Sequence, residues 1–582
     1  LFALIKRALW ALQYAFKYRR WPSRYAYWLY KQETGGLSDW LSGERARRHS
    51  QTLISVLLPV YNTPPELLRQ TIGSVQAQLY PHWELCIADD ASTCAATRRC
   101  LRALEQVDAR IRVLWRDANG HISAASNSAL SLARGGFVAL LDHDDLLTPD
   151  ALLQMAEAIH RHPQVQLLYS DEDKVDRRRC RFAPHFKPDW NPDLLLSQNY
   201  IGHLVVLRTA RLRAIGGFRT GFEGSQDHDL LLRFTRGLDA DQVVHVPRVL
   251  YHWRAIPGST ALAADQKGYA WRAGLKAVRD AVVPGAASVE PGLMPHSYRV
   301  SWPMPAPPPL VSLIVPTRDR LDVLRPCVEA LLQRTAYRHF EVLIVDNQSS
   351  RPETLAYLGD VARRDARVRV LRWDYPFNYS AINNFAAAQA GGAILGLLNN
   401  DVEPINADWL DEMVRQAVRP EIGCVGAKLY YPSGRIQHAG VILGIGDVAG
   451  HGHKYFPGTA SGYFGRLKVV QNLSAVTGAC LMVRKQVFEQ VGGLDAEHLP
   501  VAFNDIDFCL RVREAGYRNL WTPYAELYHH ESVSRGGEDT PEKQARFRAE
   551  VEYMKATWGE QLIQDPAYNT NLTRKREDFS LA

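Results

Sequence analysis

Residues 137–152 read FVALLDHDDLLTPDAL. The apolar run Val138–Leu141 has the length and composition of a buried strand. It ends on Asp142, Asp144 and Asp145, with His143 among them. Three carboxylates at a strand end repel one another unless something positive sits between them. Hard oxygen ligands in that place suit Mg²⁺ or Mn²⁺, which fills its remaining positions with water and substrate phosphate. The plainer alternative is a solvated acidic turn ahead of a helix at TPDAL, with Thr148 as N-cap.

The strand end has a twin, LLNNDVEP at residues 397–404, in which Asp401 stands 257 positions after Asp144. The same offset separates Pro59 in ISVLLPVYN from Pro316 in VSLIVPTRD, Asp89 from Asp346, and Asn127 from Asn384. Four landmarks at one ungapped offset mark a duplicated domain. Further on, QDHDLLLR and NDIDFCLR set Asp227 against Asp505, and LYHW and LYHH set His252 against His529.

Within the first copy the pattern predicts strands near 53–59, 84–88, 111–114 and 137–141, with helices near 65–79, 94–106 and 122–133. This βαβα alternation implies a mostly parallel sheet wrapped by helices, with ligands at the carboxyl ends of the strands. The expected organisation is a basic helical segment at 1–50, domains at 51–262 and 310–535, a helical and proline-rich linker at 263–309, and a helical tail at 536–582.

Residues 1–50 carry ten Lys or Arg against three acids, which accounts for the whole formal charge of +7. Phe2, Ile5, Leu9, Leu12 and Phe16 draw one apolar stripe on a helix. A basic helix with an aromatic-rich apolar face suits an anionic membrane surface; docking on the protein's own body is the alternative. Nucleic acid is disfavoured because the charge is not spread over a domain face. No signal peptide is visible, and no apolar run reaches the roughly 20 residues of a membrane span. Eight cysteines without ligand spacing read as reduced thiols in a cytosolic setting.

Asp227 and Asp505 are candidate general bases, able to take the proton of an attacking hydroxyl if burial raises their pKa. Asp229 and Asp507 are expected to pair with Arg233 and Arg511 at i+4. His252 and His529 are candidate metal or diphosphate contacts, with His530 an alternative to His529. Asp90 and Asn347 are placed to meet a base edge. The segments at 119–127 and 377–384 open helices, which favours phosphate.

Taken together, these residues resemble the family 2 glycosyltransferases of the GT-A fold, and the second copy is similar to rhamnosyl- and related transferases of bacterial O-antigen and capsule assembly. The resemblance covers roughly 54–260 and 311–535. It implies an α/β fold of two tandem GT-A domains, Rossmann-like with mostly parallel sheets. In the first domain it implies nucleotide-sugar contacts from Pro59, Tyr61, Asn62, Asp89, Asp90, Asn127 and Asp142. In the second it implies Pro316, Arg318, Asp346, Asn347, Asn384 and Asn399. A divalent cation would sit on Asp144 and His252, and another on Asp401 and His529, with Asp227 and Asp505 as bases. The copies depart from the family pattern at Ser126 and Asn383, where Arg is usual, and at Gln226 and Asn504, where Glu is usual. The implied activity is metal-dependent inverting transfer from UDP-, GDP- or dTDP-sugars to a polysaccharide or lipid-linked acceptor, on the inner face of the cytoplasmic membrane. Two rivals stand beside it. In one, a single domain is catalytic and the other binds glycan or nucleotide. The other is a sugar nucleotidyltransferase, disfavoured because PVYNTPPELL is not a Gly-rich phosphate loop.

Overall fold

The computed structural model describes residues 24–35, 51–255, 268–282, 287–530 and 540–582. They form two compact units. The described residues up to Trp190, those between Gln198 and 282, and Leu581–Ala582 form the first, and Asn191–Ser197 with the described residues from 287 to Ser580 the second. The stripe from Phe2 to Phe16 lies outside the described residues.

The first unit's strands are β1 (Ile54–Val60), β2 (Trp83–Asp89), β3 (Ile111–Trp115), β4 (Phe137–Leu140), β5 (Leu146–Leu147), β6 (Leu167–Val175), β7 (Arg181–His185), β8 (Val205–Arg208) and β9 (Val243–Arg254). They make one sheet in the order β3-β2-β1-β4-β8-β6-β9-β5, with β7 beside β6. β1 and β2 are buried along their whole length, as unbroken apolar runs covered on both faces should be. Helix Pro65–Gln76 turns Leu68, Thr71, Ile72 and Val75 inward at helical spacing. β1 pairs in parallel with β2 and β4, while β8 runs antiparallel to both β4 and β6.

The second unit opens with a hairpin, β10 (Ser288–Pro291) and β11 (Tyr298–Ser301). Its main sheet holds β12 (Val311–Thr317), β13 (Phe340–Asp346), β14 (Val368–Arg372), β15 (Ile394–Leu398), β16 (Val402–Pro404), β17 (Ile422–Tyr430), β18 (Ile436–His438), β21 (Gln471–Leu473), β22 (Cys480–Arg484) and β23 (Arg518–His529). The order β14-β13-β12-β15-β22-β17-β23-β16 repeats the first sheet strand for strand. The register repeats too: Ile54 lies opposite Phe137, and Val311 opposite Ile394, at the sequence offset. A separate hairpin, β19 (Val441–Leu443) and β20 (Ala449–His451), together with β21, has no counterpart in the first unit.

β6 carries three consecutive acids in its interior, Asp171, Glu172 and Asp173, each under 9% exposed. Each has a cation. Lys187 lies 3.4 Å from Glu172, Arg181 2.6 Å from Asp173, and His245 2.9 Å from Asp171. Burial alone would push His245 down, but Asp171 and Asp189 lift it to about 9. A histidine held above its ordinary value stabilises the fold fully at pH below about 6.5, and that contribution is lost as pH rises through about 9. At about 1.4 kcal/mol per pKa unit this is roughly 3 kcal/mol. Urea denaturation at pH 6.5 and 9.5 should show a fall of this order in the wild type and a much smaller one in His245→Gln.

Helix Arg24–Gly35 packs on the first unit's own body. Tyr25, Ala26, Trp28 and Leu29 are buried. Tyr25 Oη donates to Asp173 Oδ2 at 2.5 Å, and Trp28 lies 5.1 Å from Phe186, ring to ring. The expectation that the aromatics of residues 1–50 face a lipid surface is corrected for this stretch, because its apolar side is already covered by protein.

Candidate functional site

In each unit most candidate residues lie in or just past the carboxyl-terminal parts of β1, β2, β4 and β9, or of their counterparts β12, β13, β15 and β23, while Asn127, Asp227, Asn384 and Asp505 lie on helices. Pro59 and Pro316 lie in the central strands, opposite Ala88 and Val345. Tyr61, just past β1, is 47% exposed. Arg318 follows β12 directly.

Asn62 has a different role from the expected sugar contact. It sits at φ 50°, donates its backbone N–H to Ser92 Oγ, and accepts from the Cys94 N–H through Oδ1. In the second unit Asp319 does the same to Ser349, Ser350 and Arg351. Both braces tie the loop after the first strand to the loop after the second.

Asn127 and Asn384 also brace backbone. The Asn127 amide donates to Phe218 O at 2.7 Å and accepts from Phe218 N at 2.9 Å. Asn384 clamps Leu494 in the same way, at 2.8 and 2.9 Å. Each amide spends one N–H and one lone pair on backbone about a hundred residues away, a bracing role beside any ligand contact.

Asp89 and Asp346 accept the N–H groups of Ser92 and Ser349. The next residues differ between units. Asp90 Oδ1 accepts from Arg116 Nε at 2.7 Å and from Gly120 N at 2.9 Å. Asn347 donates to the carbonyls of Trp373 and Tyr375, leaving its buried Oδ1 without a hydrogen bond. The two units therefore present different chemistry at the same strand end.

The acidic cluster of the first unit divides its labour. Asp145 is buried, accepts from Tyr251 Oη and Arg254 N, and so pins the end of β9. Burial, with Asp142 and Asp144 adding to it, pushes its carboxyl well up. Asp142 is 40% exposed, 4.0 Å from His203 Nε2. Asp144 is raised mainly by burial, with His143 opposing and Asp142 adding. His252 Nδ1 meets Asp173 Oδ1 at 2.6 Å. A carboxylate on one ring nitrogen leaves the other as the lone-pair donor, the arrangement that orients metal-binding histidines.

In the second unit three expected residues converge. His529 Nε2 lies 3.3 Å from Asp401 Oδ1 and 3.1 Å from Asn399 Nδ2. Asp401 Oδ1 and His529 Nδ1 are buried and make no hydrogen bond. His530 lies instead 3.2 Å from Glu403 Oε1. Among the described residues no three His, Cys, Asp or Glu side chains converge on one point. The second unit thus brings a carboxylate and an imidazole together, a set that fits a hard divalent cation completed by water and phosphate oxygens, whereas in the first unit His252 meets Asp173 rather than Asp144.

Asp505 is half-buried, and Tyr379 feels both its charge and that of Asp401. Asp505 accepts from Gly478 N at 2.8 Å, and burial raises its pKa against that hydrogen bond. Tyr379 donates to Gly478 O at 3.1 Å, and its phenol is raised by burial and by the charges of Asp505 and Asp401. Asp227 accepts from Asn199 Nδ2 at 3.0 Å. The i+4 pairs are present, Arg233 on Asp229 and Arg511 on Asp507.

Two histidines at this site gave no signal in the sequence. His438 Nδ1 lies 2.8 Å from His451 Nδ1, and His438 is pushed well down by burial and by the neighbouring His451 and His529. A depression of about 520 Å³ lined by Leu53, Phe137, His160 and Arg208 opens at the amino ends of β1 and β4. It is remote from every group described above, and convergent polar chemistry rather than size locates the site.

Residues 55–216 and 312–492, together more than half of the chain, match the family model described as glycosyl transferase family 2. An uncharacterized protein, y4gI, of Sinorhizobium fredii is 55% identical over 92% of this chain and 59% of its own length. The O-antigen biosynthesis protein RfbC of Myxococcus xanthus is 42% identical over 92% of this chain and 41% of its own. The chain thus spans less than two thirds of either relative. Among solved structures, Staphylococcus aureus TarS residues 1–349 with UDP-GlcNAc aligns at 18% identity and a TM-score of 0.32, over 39% of this chain and 65% of that one.

Proposed function

The chain belongs to glycosyl transferase family 2, present twice, and from that premise we propose that each unit transfers a sugar from a nucleotide-sugar donor to a growing bacterial surface polysaccharide. The observation that carries this reading is the second unit's half-buried, pKa-raised Asp505, which shares Tyr379 as a neighbour with the Asp401 of the Asp401–His529 pair. The first unit sets Asp227, Asp144 and His252 on equivalent elements.

The reaction is a direct displacement. Asp505, or Asp227 in the first unit, takes the proton of the acceptor hydroxyl as that oxygen bonds to the anomeric carbon. The bond from that carbon to the diphosphate oxygen breaks on the opposite face, so the configuration inverts. Asp144 and His252, and Asp401 and His529, would hold a divalent cation, which when bound would supply charge stabilisation for the leaving nucleoside diphosphate. Asp173 holds His252 in one tautomer for this purpose. The differing partners of Asp90 and Asn347 support different donor preferences in the two units. The test is a panel of UDP-, GDP- and dTDP-sugars with Mn²⁺ and an oligosaccharide acceptor. Transfer with release of a nucleoside diphosphate supports the reading, and binding without transfer by either unit favours a binding module.

Peripheral attachment to an anionic membrane by the leading basic residues belongs to the same proposal. Among the described residues no helix is long and apolar enough to cross a membrane. Residues 1–23 include Lys6, Arg7, Lys17, Arg19 and Arg20, each contributing about 1 kcal/mol near an anionic surface. Deleting residues 1–23 should abolish pelleting with phosphatidylserine vesicles at low salt and leave transfer intact. Deleting residues 1–35 should also slow the first unit, because Tyr25 leaves Asp173. Vesicle binding that survives the shorter deletion would count against the membrane role.

A further inference from the structure

We propose that the helix following the last sheet strand of each unit braces the loop that presents the base, and that Glu550 is the positioning residue in the second unit. The proposal rests on Asp505 being that unit's base. Helix Pro541–Ile563 buries Glu550, Met554, Trp558 and Leu562 along one side. A buried glutamate among apolar residues needs partners, and Glu550 has them. Its Oε1 accepts the backbone N–H groups of Val501 at 2.8 Å and Ala502 at 2.9 Å. Its Oε2 lies 3.4 Å from Arg546 Nε.

Those two amides sit just ahead of a strained turn. Phe503 has φ 59°, a left-handed conformation that a bulky residue rarely adopts. Its ring packs on Phe547 of the same helix, with centroids 5.4 Å apart. Helix Asn504–Glu514 begins at the next residue, and Asp505 stands in its first turn. Two residues on, Trp558 Nε1 donates to Asp507 Oδ1 at 2.9 Å. The brace therefore grips the base-bearing helix on both sides of Asp505. Strain of this kind persists where the surroundings over-determine it, and it gathers at functional sites.

The first unit reaches the same end with other residues. The left-handed position there is Gly224, at φ 85°. A Cβ on it would stand 2.8 Å from Ala270 Cβ of helix Gly268–Ala281. Ser225 Oγ donates to Ala270 O at 2.8 Å, and Asp280 holds Arg219, which pairs with Asp229. Glycine tolerates the turn unaided; Phe503 does not, which gives Glu550 its task.

The full chain is assayed with the nucleotide sugar from the panel that gives the fastest second-unit transfer. Glu550→Gln keeps an Oε1 acceptor in place. Glu550→Asp keeps the charge but withdraws the oxygens by one methylene. The expected order is therefore Gln above Asp. Glu550→Gln should stay within about 3-fold of wild-type kcat, while Glu550→Asp falls about 10-fold or more at unchanged donor KM, since sub-ångström placement of a base governs the rate. Amide exchange at residues 501–503 should quicken in Glu550→Asp only, and first-unit transfer should hold in both. Wild-type kcat in Glu550→Asp, or a larger loss in Glu550→Gln than in Glu550→Asp, would overturn the proposal. Asp505→Asn is run alongside. If it leaves second-unit transfer unchanged, the assignment of the base has failed, not the brace.

Discussion

Replacing Asp505 with asparagine is expected to slow second-unit transfer about 10³-fold, roughly 4 kcal/mol in the barrier, with donor KM changed by less than about 3-fold. Asparagine has nearly the same shape and can still accept from Gly478 N, so the fold should survive. What it lacks is the ability to take a proton. The carboxyl's raised pKa makes a second, independent statement. The group must be ionised to act, so the acid limb of the rate profile should lie above the ordinary carboxylate range and vanish with the residue. Burial supplies both effects: it hinders ionisation and strengthens the resulting base. Steady-state rates between pH 4 and 8 for wild type and Asp505→Asn check this directly. A small loss with an unchanged acid limb would move the base elsewhere.

The second large effect concerns the cation. Chelation with EDTA should remove both transfer activities and Mn²⁺ should restore them. Asp144→Ala should remove first-unit transfer alone, by about 10²-fold or more. The reason lies in the proposed donor set: Asp144 with His252 in the first unit and Asp401 with His529, 3.3 Å apart, in the second, so loss of either leaves a single protein ligand. Asp145→Ala is a useful contrast. Its carboxylate already accepts from Tyr251 and Arg254, so that substitution should lower stability as well as activity. Full activity in chelator would remove the cation from the account.

The architecture was legible in the sequence to the extent that it depends on short-range pattern. The apolar runs from Ile54, Phe137 and Val311 read as buried strands, and the ungapped offset between copies carried through to strand register. β6 was not legible. Asp171, Glu172 and Asp173 in a row argue against a buried strand, and their cations come from Lys187, Arg181 and His245, residues that pair with them only once the sheet has formed. The same limit explains Asn127 and Asn384. A polar residue at the right offset looks like a ligand and nothing more until its distant backbone partner is seen. For Asp144, Asp401, His252 and His529, the repeat supplied what a single copy cannot: the same residue types at the same strand ends twice. His438 and His451 stand in or beside the added hairpin of the second unit, where no repeat could flag them. Glu550 lies beyond both copies, and nothing in its local sequence points to Asp505.

The central claim is that one chain holds two separate transfer centres, and the most direct measurement is product analysis by mass spectrometry of Asp227→Asn and Asp505→Asn against wild type, with both donors present. The account predicts complementary losses: each variant fails to form one linkage and still forms the other, and an equimolar mixture of the two regenerates the wild-type product. Loss of the same linkage in both variants, or no change in either, would contradict it.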